Sequence, residues 1–168
     1  MSKIDPTSAV FAGLKRAGVD FAASVPCINL GQLLLLVSSD PEILHLPVTR
    51  EEEGVGLCAG AWMGGKRPAL LMQNSGLGNM INALASLNLL YGLPLLMIIS
   101  HRGLEGESIA AQMPMGRLTP KLLEVMGIPT FAPAPEQAEE TIAFAWRAAA
   151  FQGRPAVVLL DLNFWREG

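Results

Sequence analysis

The sequence is poor in charge, cysteine and histidine, and each shortage excludes a class of protein. Only 16% of its 168 residues are charged, and the net charge is -3. No run of Lys or Arg is present, so nucleic-acid binding is not expected. The two His and two Cys, which have no CxxC spacing, do not predict a metal site in this chain. The cysteines are instead expected to be free thiols, as in a reducing cytoplasm.

Long apolar runs are also missing. The most apolar stretch, 87–99, is interrupted by Asn88, Gly92 and Pro94 and is too short to span a bilayer. The first residues do not resemble a targeting sequence, so we expect a cytoplasmic protein without a membrane segment. Because a typical soluble domain has about 25% charged residues, the low charge predicts that other chains cover part of the surface, as in an obligate oligomer.

Short apolar runs alternate with amphipathic segments along the chain, which is typical of βαβ units. The length suits one domain over residues 1–168. We predict an α/β fold with a six-stranded, mostly parallel sheet and helices on both faces. The predicted strands are 20–25, 43–48, 68–73, 94–100, 128–131 and 156–162.

Two helix starts and one loop are predicted from capping residues and prolines. Asn79 is expected to cap a helix over 79–90. Pro120 is expected to start a helix over 119–126. The segment 101–117, with three glycines and a proline, is predicted to be the longest loop, and loops of that length are usually functional or mobile.

Ligands in parallel sheets bind outside the carboxyl ends of the strands. This rule selects four loops, at 26–29, 49–53, 74–79 and 101–117. The unusual polar residues of the sequence lie in these loops. We therefore expect any site to be built from them.

Three consecutive glutamates, Glu51, Glu52 and Glu53, open a helix that is otherwise apolar and rich in small residues. They can be solvated charges that stabilise a helix N-terminus. Alternatively, one of them points into the crevice and is a working acid. Each Gly of the helix costs about 1 kcal/mol relative to Ala, so we expect close packing on several of its sides.

The segment Gln73–Asn79 is a glycine-rich loop between a strand and a helix, which suits the approach of backbone to a ligand. It matches neither the dinucleotide fingerprint nor the P-loop. Ser75 has no visible base partner, so nucleophilic catalysis is not expected. After the next strand, Arg102 is either an anion clamp or a surface residue.

Together these residues resemble a known family. A glutamate before a Gly/Ala helix, then Gly-Lys-x-Pro at 65–68 and Met-Gln-Asn-Ser-Gly-Leu-Gly-Asn at 72–79, is similar to the pyrimidine-binding module of thiamine-diphosphate decarboxylases. The pattern is most similar to the branch that acts on 3-sulfopyruvate and 3-phosphonopyruvate, and the similarity runs from 25 to 129. It implies the three-layer thiamin-diphosphate-binding fold.

The resemblance implies which residues form the site. Glu52, counted back from Ala61-Trp62 at the place of the family's Gly-Tyr pair, would be catalytic and would hydrogen-bond the aminopyrimidine of thiamine diphosphate. The implied cofactor-binding residues are Glu52, Pro26, Asn74, Ser75, Gly76 and Asn79. The donors expected around the small 2-oxo acid are Asn29, Asn74, Ser75, Arg102 and Gln112.

Two departures from the family qualify the prediction. Gly-Asp-Gly, which holds Mg2+ and the diphosphate in the family, is absent, so the resemblance implies a beta-type subunit that supplies them, in a hetero-oligomer built on alpha dimers. Gln112 stands where phosphonopyruvate decarboxylases carry a histidine. Because Gln cannot shuttle a proton, sulfopyruvate is favoured, with sulfoacetaldehyde and CO2 as products in sulfonate metabolism of the coenzyme M type.

Two alternatives remain open at this point. The first keeps the cofactor and changes the acid to phosphonopyruvate or another 3-anionic 2-oxo acid. The second is a non-catalytic, flavodoxin-like binding module. The second is favoured if no subunit with the diphosphate site exists.

Overall fold

Six strands form one parallel sheet in the computed structural model, which describes residues 4–166. The strands are β1 (Phe21–Ser24), β2 (Leu44–Pro47), β3 (Pro68–Gln73), β4 (Leu95–Ser100), β5 (Thr130–Phe131) and β6 (Pro155–Leu160). Their order is β2-β1-β3-β4-β6-β5. All neighbouring pairs are parallel. The predicted six-stranded sheet is confirmed, and it is entirely rather than mostly parallel.

Helices cover both faces of the sheet, as predicted. They are α1 (Pro6–Ala17), α2 (Gly31–Ser39), α3 (Glu51–Met63), α4 (Leu77–Ala83), α5 (Met113–Val125), α6 (Ala138–Gln152) and α7 (Leu162–Arg166). One apolar core lies between the sheet and α1, α2 and α6. A second core lies between the sheet and α3, α4 and α5. The molecule therefore has three layers.

The central strands are apolar because both of their faces are covered. In β3, Ala69 and Leu71 belong to the first core, whereas Leu70 and Met72 belong to the second. The edge strand β2 differs, since Leu44 and Leu46 on it are exposed. One edge of the sheet therefore presents apolar side chains to the outside.

The start of α4 differs from the prediction. A turn of 3-10 helix, Asn74–Gly76, leads directly into α4 at Leu77, and the N–H of Leu77 bonds the carbonyl of Asn74. This turn takes the place of a side-chain cap. Asn79 is therefore inside the helix and does not cap it. The helix continues beyond α4 as a π-helix over Leu84–Leu89.

The prediction for 101–117 was also wrong in part. The irregular loop ends at Ile109, and a 3-10 turn, Ala110–Gln112, leads into α5 at Met113. Pro114 lies in the first turn of α5, where its missing N–H costs nothing. The helix therefore starts six residues before Thr119.

Pro120, predicted to start a helix, lies inside α5 because a histidine compensates for it. A proline cannot donate to the carbonyl four residues earlier, which here belongs to Gly116. Nε2 of the buried His101 donates to that carbonyl at 2.9 Å. The oxygen released by Pro120 is therefore satisfied by a residue at the end of β4.

Candidate functional site

The polar side chains collect at the carboxyl edge of the sheet, where the loops after β1, β2, β3 and β4 meet. The three glutamates enter this region from the start of α3. Although they are consecutive, the structure gives them three different environments.

Glu51 is the buried glutamate, with 8% of its surface exposed. Nδ2 of Asn79 donates to its Oε2 at 3.0 Å. Its carboxylate lies against Gly76, in the space that a Cβ on residue 76 would fill. The amide of Asn79 and the space beside Gly76 are thus both used by Glu51, and the predicted contacts of these two residues with the cofactor stay predictions.

Glu52 has one engaged oxygen and one free oxygen. Oε1 accepts a hydrogen bond from Nε of Arg50 at 2.5 Å. Oε2 is covered but has no hydrogen-bond partner among residues 4–166. The side chain is 31% exposed. The pKa of Glu52 is lowered, first by its own backbone N–H and then by Arg50, so the free oxygen belongs to a carboxylate that can accept a further donor.

Glu53 caps the helix. Its Oε2 accepts hydrogen bonds from the backbone N–H of Thr49 at 3.1 Å and of Arg50 at 3.3 Å, and from the Thr49 hydroxyl at 2.9 Å. These bonds lower the pKa of Glu53. It is exposed, as expected for a first-turn charge.

Asn74 has a structural role that the sequence did not reveal. It is completely buried. Its Nδ2 donates to the carbonyl of Arg102 at 3.1 Å and to the Thr119 hydroxyl at 3.2 Å, and its Oδ1 accepts from the N–H of Arg102 at 2.8 Å. The side chain thus joins the loops after β3 and β4, and its predicted contact with the cofactor and the substrate stays a prediction.

Gln73, Ser75 and Gln112 form a neutral polar group that we call the amide cluster. Nε2 of Gln73 donates to Oγ of Ser75 at 2.8 Å and to Oε1 of Gln112 at 3.0 Å. Cys27 borders it, with its Sγ 3.7 Å from Oε1 of Gln73. The structure thus brings together two predicted substrate donors, Ser75 and Gln112. Gln73, to which the sequence reasoning gave no role, joins them. Its signal is a polar residue that ends an otherwise apolar strand.

Asn29 and Pro26 lie on the neighbouring strand end. Nδ2 of Asn29 donates to the hydroxyl of Ser100 at 3.1 Å, and Ser100 pairs with Gln73 across the sheet. Asn29 is therefore beside the amide cluster. Pro26 is exposed two residues after the end of β1.

Arg102 is paired with a carboxylate that the sequence did not single out. Its Nε and Nη2 donate to the two oxygens of Glu107 at 2.6 and 2.7 Å. The side chains are 9% and 0% exposed. The hydrogen bond from Arg102 lowers the pKa of Glu107 to about 2. Arg102 is thus buried rather than a surface residue, and Glu107 occupies two of its donors. Its predicted contact with the substrate stays a prediction.

The outer face of α3 is open. An added Cβ on Gly56 or Gly60 would meet no atom within 4 Å. Both glycines line an apolar groove of about 360 Å3 together with Leu44 of the edge strand. Glu52 lies one helical turn before Gly56, on the same side of the helix. The close packing predicted for these glycines is therefore not supplied by the described part of this chain.

Metal-ligand clusters and membrane-spanning helices are both missing from residues 4–166. No group of three or more His, Cys, Asp or Glu side chains is arranged to hold a metal ion there. In the same residues, no helix has both the length and the apolar character needed to cross a membrane.

The fold and site define a cofactor-binding class. The family model for the N-terminal TPP binding domain of thiamine pyrophosphate enzymes matches residues 5–128. The chain belongs to this family, and the predicted resemblance is confirmed. A solved structure, 2-oxoglutarate:ferredoxin oxidoreductase from Magnetococcus marinus with 2-oxoglutarate, coenzyme A and succinyl-CoA bound, has the same fold. It matches 96% of this chain and 29% of that chain with a TM-score of 0.76 at 15% identity.

Two relatives are much more similar in sequence. The alpha subunit of sulfopyruvate decarboxylase from Methanothermobacter thermautotrophicus is 52% identical over 164 residues, which are 97% of this chain and 99% of that protein. The alpha subunit from Methanococcus maripaludis is 49% identical over 163 residues, which are 96% of this chain and 98% of that protein. The similarity thus covers nearly the whole length of both chains.

Proposed function

We propose that this chain is the pyrimidine-binding subunit of a thiamine-diphosphate-dependent decarboxylase that converts 3-sulfopyruvate into sulfoacetaldehyde and CO2. The names of the two alpha-subunit relatives support the reaction. The observation that carries the proposal is the covered Oε2 of Glu52, which has no partner within the described residues. An acceptor in this position suits a donor nitrogen of the aminopyrimidine ring.

Glu52 is the proposed catalytic residue. Its Oε1 is held by Arg50, so that the carboxylate is oriented and Oε2 is left to accept a hydrogen bond from the ring or to hold a proton. Bound thiamine diphosphate supplies the electron sink for loss of CO2. Glu51 and Glu53 support this arrangement from either side, the first by fixing the start of α4 and the second by capping α3.

A partner subunit is proposed to cover the groove along α3. The groove is apolar, and its glycines Gly56 and Gly60 have open space beside them, so a second chain can pack closely there. We propose that this partner is a beta-type subunit with the diphosphate site and Mg2+, in an assembly built on dimers of this chain. Cys27 and Cys58 are both free and buried, which suits the reducing cytoplasm in which we propose that the enzyme acts.

The amide cluster and Asn29 are proposed to bind the substrate. Gln73, Ser75 and Gln112 offer amide and hydroxyl groups without a net charge. Such groups suit a sulfonate, which is a weakly basic anion that needs donors rather than an acid. The proposed additional contacts to the cofactor are Pro26, Asn74, Ser75, Gly76 and Asn79.

Co-expression with a beta-type chain that carries Gly-Asp-Gly tests the function. CO2 release is measured with sulfopyruvate, phosphonopyruvate and pyruvate, each with and without thiamine diphosphate and Mg2+. We expect cofactor-dependent release that is fastest with sulfopyruvate. If CO2 is released mainly from another acid, that acid replaces sulfopyruvate as the proposed substrate. No cofactor-dependent release from any acid would leave the non-catalytic binding module as the better explanation.

A further inference from the structure

The loop after β4 is organised around Glu107. Its carboxylate accepts two hydrogen bonds from the guanidinium of Arg102 and two from the backbone N–H groups of Gly103 and Ile109, at 3.3 and 3.0 Å. Four donors thus converge on one covered carboxylate. Its pKa, lowered to about 2 with the hydrogen bond from Arg102 as the main cause, keeps it ionised throughout the range in which enzymes work.

This pair cancels the positive charge of a residue whose backbone adjoins the amide cluster. The N–H of Arg102 is bonded to Asn74, the neighbour of Gln73. Gly103, which follows Arg102, lies against the backbone carbonyl of Gln112. Glu107 occupies Nε and Nη2, the edge by which a guanidinium binds an anion in bidentate fashion. A substrate anion at the cluster therefore meets neutral donors beside an ion pair with no net charge.

We infer that Glu107 sets the selectivity of this site for a singly charged sulfonate over a doubly charged phosphonate. The inference rests on the proposed function, since it concerns the substrate of the same site. A sulfonate has one negative charge and is satisfied by neutral donors. A phosphonate has a second ionisable oxygen, whose charge is favoured by a nearby cation, and Glu107 neutralises the guanidinium of Arg102. Glu107 acts through Arg102 and the local charge, without touching the substrate.

Three variants separate charge from structure in the assembled enzyme. Glu107→Gln removes the cancelling charge, Arg102→Gln/Glu107→Gln removes both charges, and Glu105→Gln removes an exposed charge from the same loop. The measured quantity is the kcat/KM for phosphonopyruvate divided by that for sulfopyruvate. We expect Glu107→Gln to raise this ratio by about tenfold or more, as expected for one added charge-assisted contact. For the double variant and for Glu105→Gln, we expect the same ratio to stay within about threefold of its value in the unmodified enzyme.

Several outcomes would overturn the inference. One is a folded Glu107→Gln enzyme with an unchanged ratio. Another is a double variant that loses more than about tenfold in kcat/KM for sulfopyruvate, because Arg102 would then bind the substrate directly. Glu107→Gln leaves Arg102 unpaired and can therefore fail to fold. The double variant leaves neither charge unpaired, and its kcat/KM for sulfopyruvate still shows whether Arg102 binds the substrate directly.

A binding measurement keeps the inference separate from the proposed function. Calorimetry in mildly alkaline buffer compares methylphosphonate with methanesulfonate on the full-length chain and on its complex. Glu107→Gln is expected to gain binding of methylphosphonate that the unmodified chain and the double variant lack. If the unmodified enzyme decarboxylates nothing, the proposed function fails. The inference fails separately if Glu107→Gln gains no preference for the phosphonate.

Discussion

The carboxylate of Glu51 occupies the space beside Gly76 in which any other residue would place its Cβ. Together with the hydrogen bond from Asn79, this contact fixes the start of α3 against the loop after β3. Glu52 follows Glu51 in the sequence, and Ser75 precedes Gly76. The packing of Glu51 on Gly76 therefore determines how the proposed proton-handling group lies relative to the amide cluster.

Gly76→Ala is expected to destabilise the chain. The added methyl group would overlap the Glu51 carboxylate, and overpacking of this kind costs about 1–3 kcal/mol in the free energy of unfolding. Urea denaturation measures the loss. Gly78→Ala is the matched control, because a Cβ there meets nothing within 4 Å. Equal stability of the two variants would mean that Glu51 moves away from Gly76 without cost.

Glu52→Gln is expected to lower kcat by about a hundredfold to ten-thousandfold in the complex with a beta-type subunit, which is the range for loss of an acid–base group. Gln has nearly the same shape as Glu. The hydrogen bond from Arg50 becomes weaker, but the Arg50 side chain is exposed, so folding and assembly should be unchanged. Glu53→Gln, which alters the helix cap, serves as the control and should retain most activity. Near-normal turnover of Glu52→Gln would remove its catalytic assignment.

Gly54 and Gly56 are expected to respond differently to substitution. A Cβ on Gly54 would lie 2.6 Å from Cδ1 of Leu70, whereas one on Gly56 would meet nothing. Gly54→Ala should therefore lower the free energy of unfolding of the free chain. Gly56→Leu should not lower that stability, because it replaces a glycine inside a helix with a better helix former, and it should weaken assembly with the partner, measured by sedimentation velocity. Normal assembly of Gly56→Leu would place the partner elsewhere.

The chain is expected to lose stability in acid when Glu107 becomes protonated. Its folded-state pKa, about 2, lies below the ordinary value of 4.5. The carboxylate therefore stabilises the fold above about pH 4.5, and this contribution is lost as the pH falls toward about 2. Urea midpoints of the unmodified chain and of Glu107→Gln should differ at neutral pH and converge in acid. A constant difference between the two chains would contradict the linkage.

His101→Ala should cost about 1–3 kcal/mol in stability, because the carbonyl of Gly116 loses its donor. Pro120→Ala restores a backbone N–H four residues after Gly116. The double variant His101→Ala/Pro120→Ala is therefore expected to recover part of the loss, and a double-mutant cycle of unfolding free energies measures the coupling. Purely additive effects would show that His101 stabilises α5 by packing alone.

The layers of the fold could be predicted from the sequence because they depend on local patterns. β3 and β4 are continuous apolar runs, and both are buried strands. The start of α5 could not be predicted in this way. Pro120 is tolerated inside the helix only because His101, from another element, bonds Gly116.

The loops that form the candidate site could be predicted from the sequence, whereas most of the contacts between their side chains could not. Ser75 and Gln112 lie together as expected. The separate roles of the three glutamates depend on partners that are distant in sequence, such as Asn79 for Glu51. The burial of Asn74 and the pairing of Arg102 with Glu107 depend on the path of the loop after β4, for which the sequence has no periodic signal.

The open groove along α3 also has a consequence for how the cell must make this protein. A free copy presents Gly56, Gly60 and Leu44 on one uncovered apolar surface next to an unpaired sheet edge. We expect chains synthesised in excess of their partner to be captured by chaperones or degraded. The yield of assembled enzyme would then depend on balanced production of the two subunits, because α3 leaves an apolar surface uncovered in the free chain.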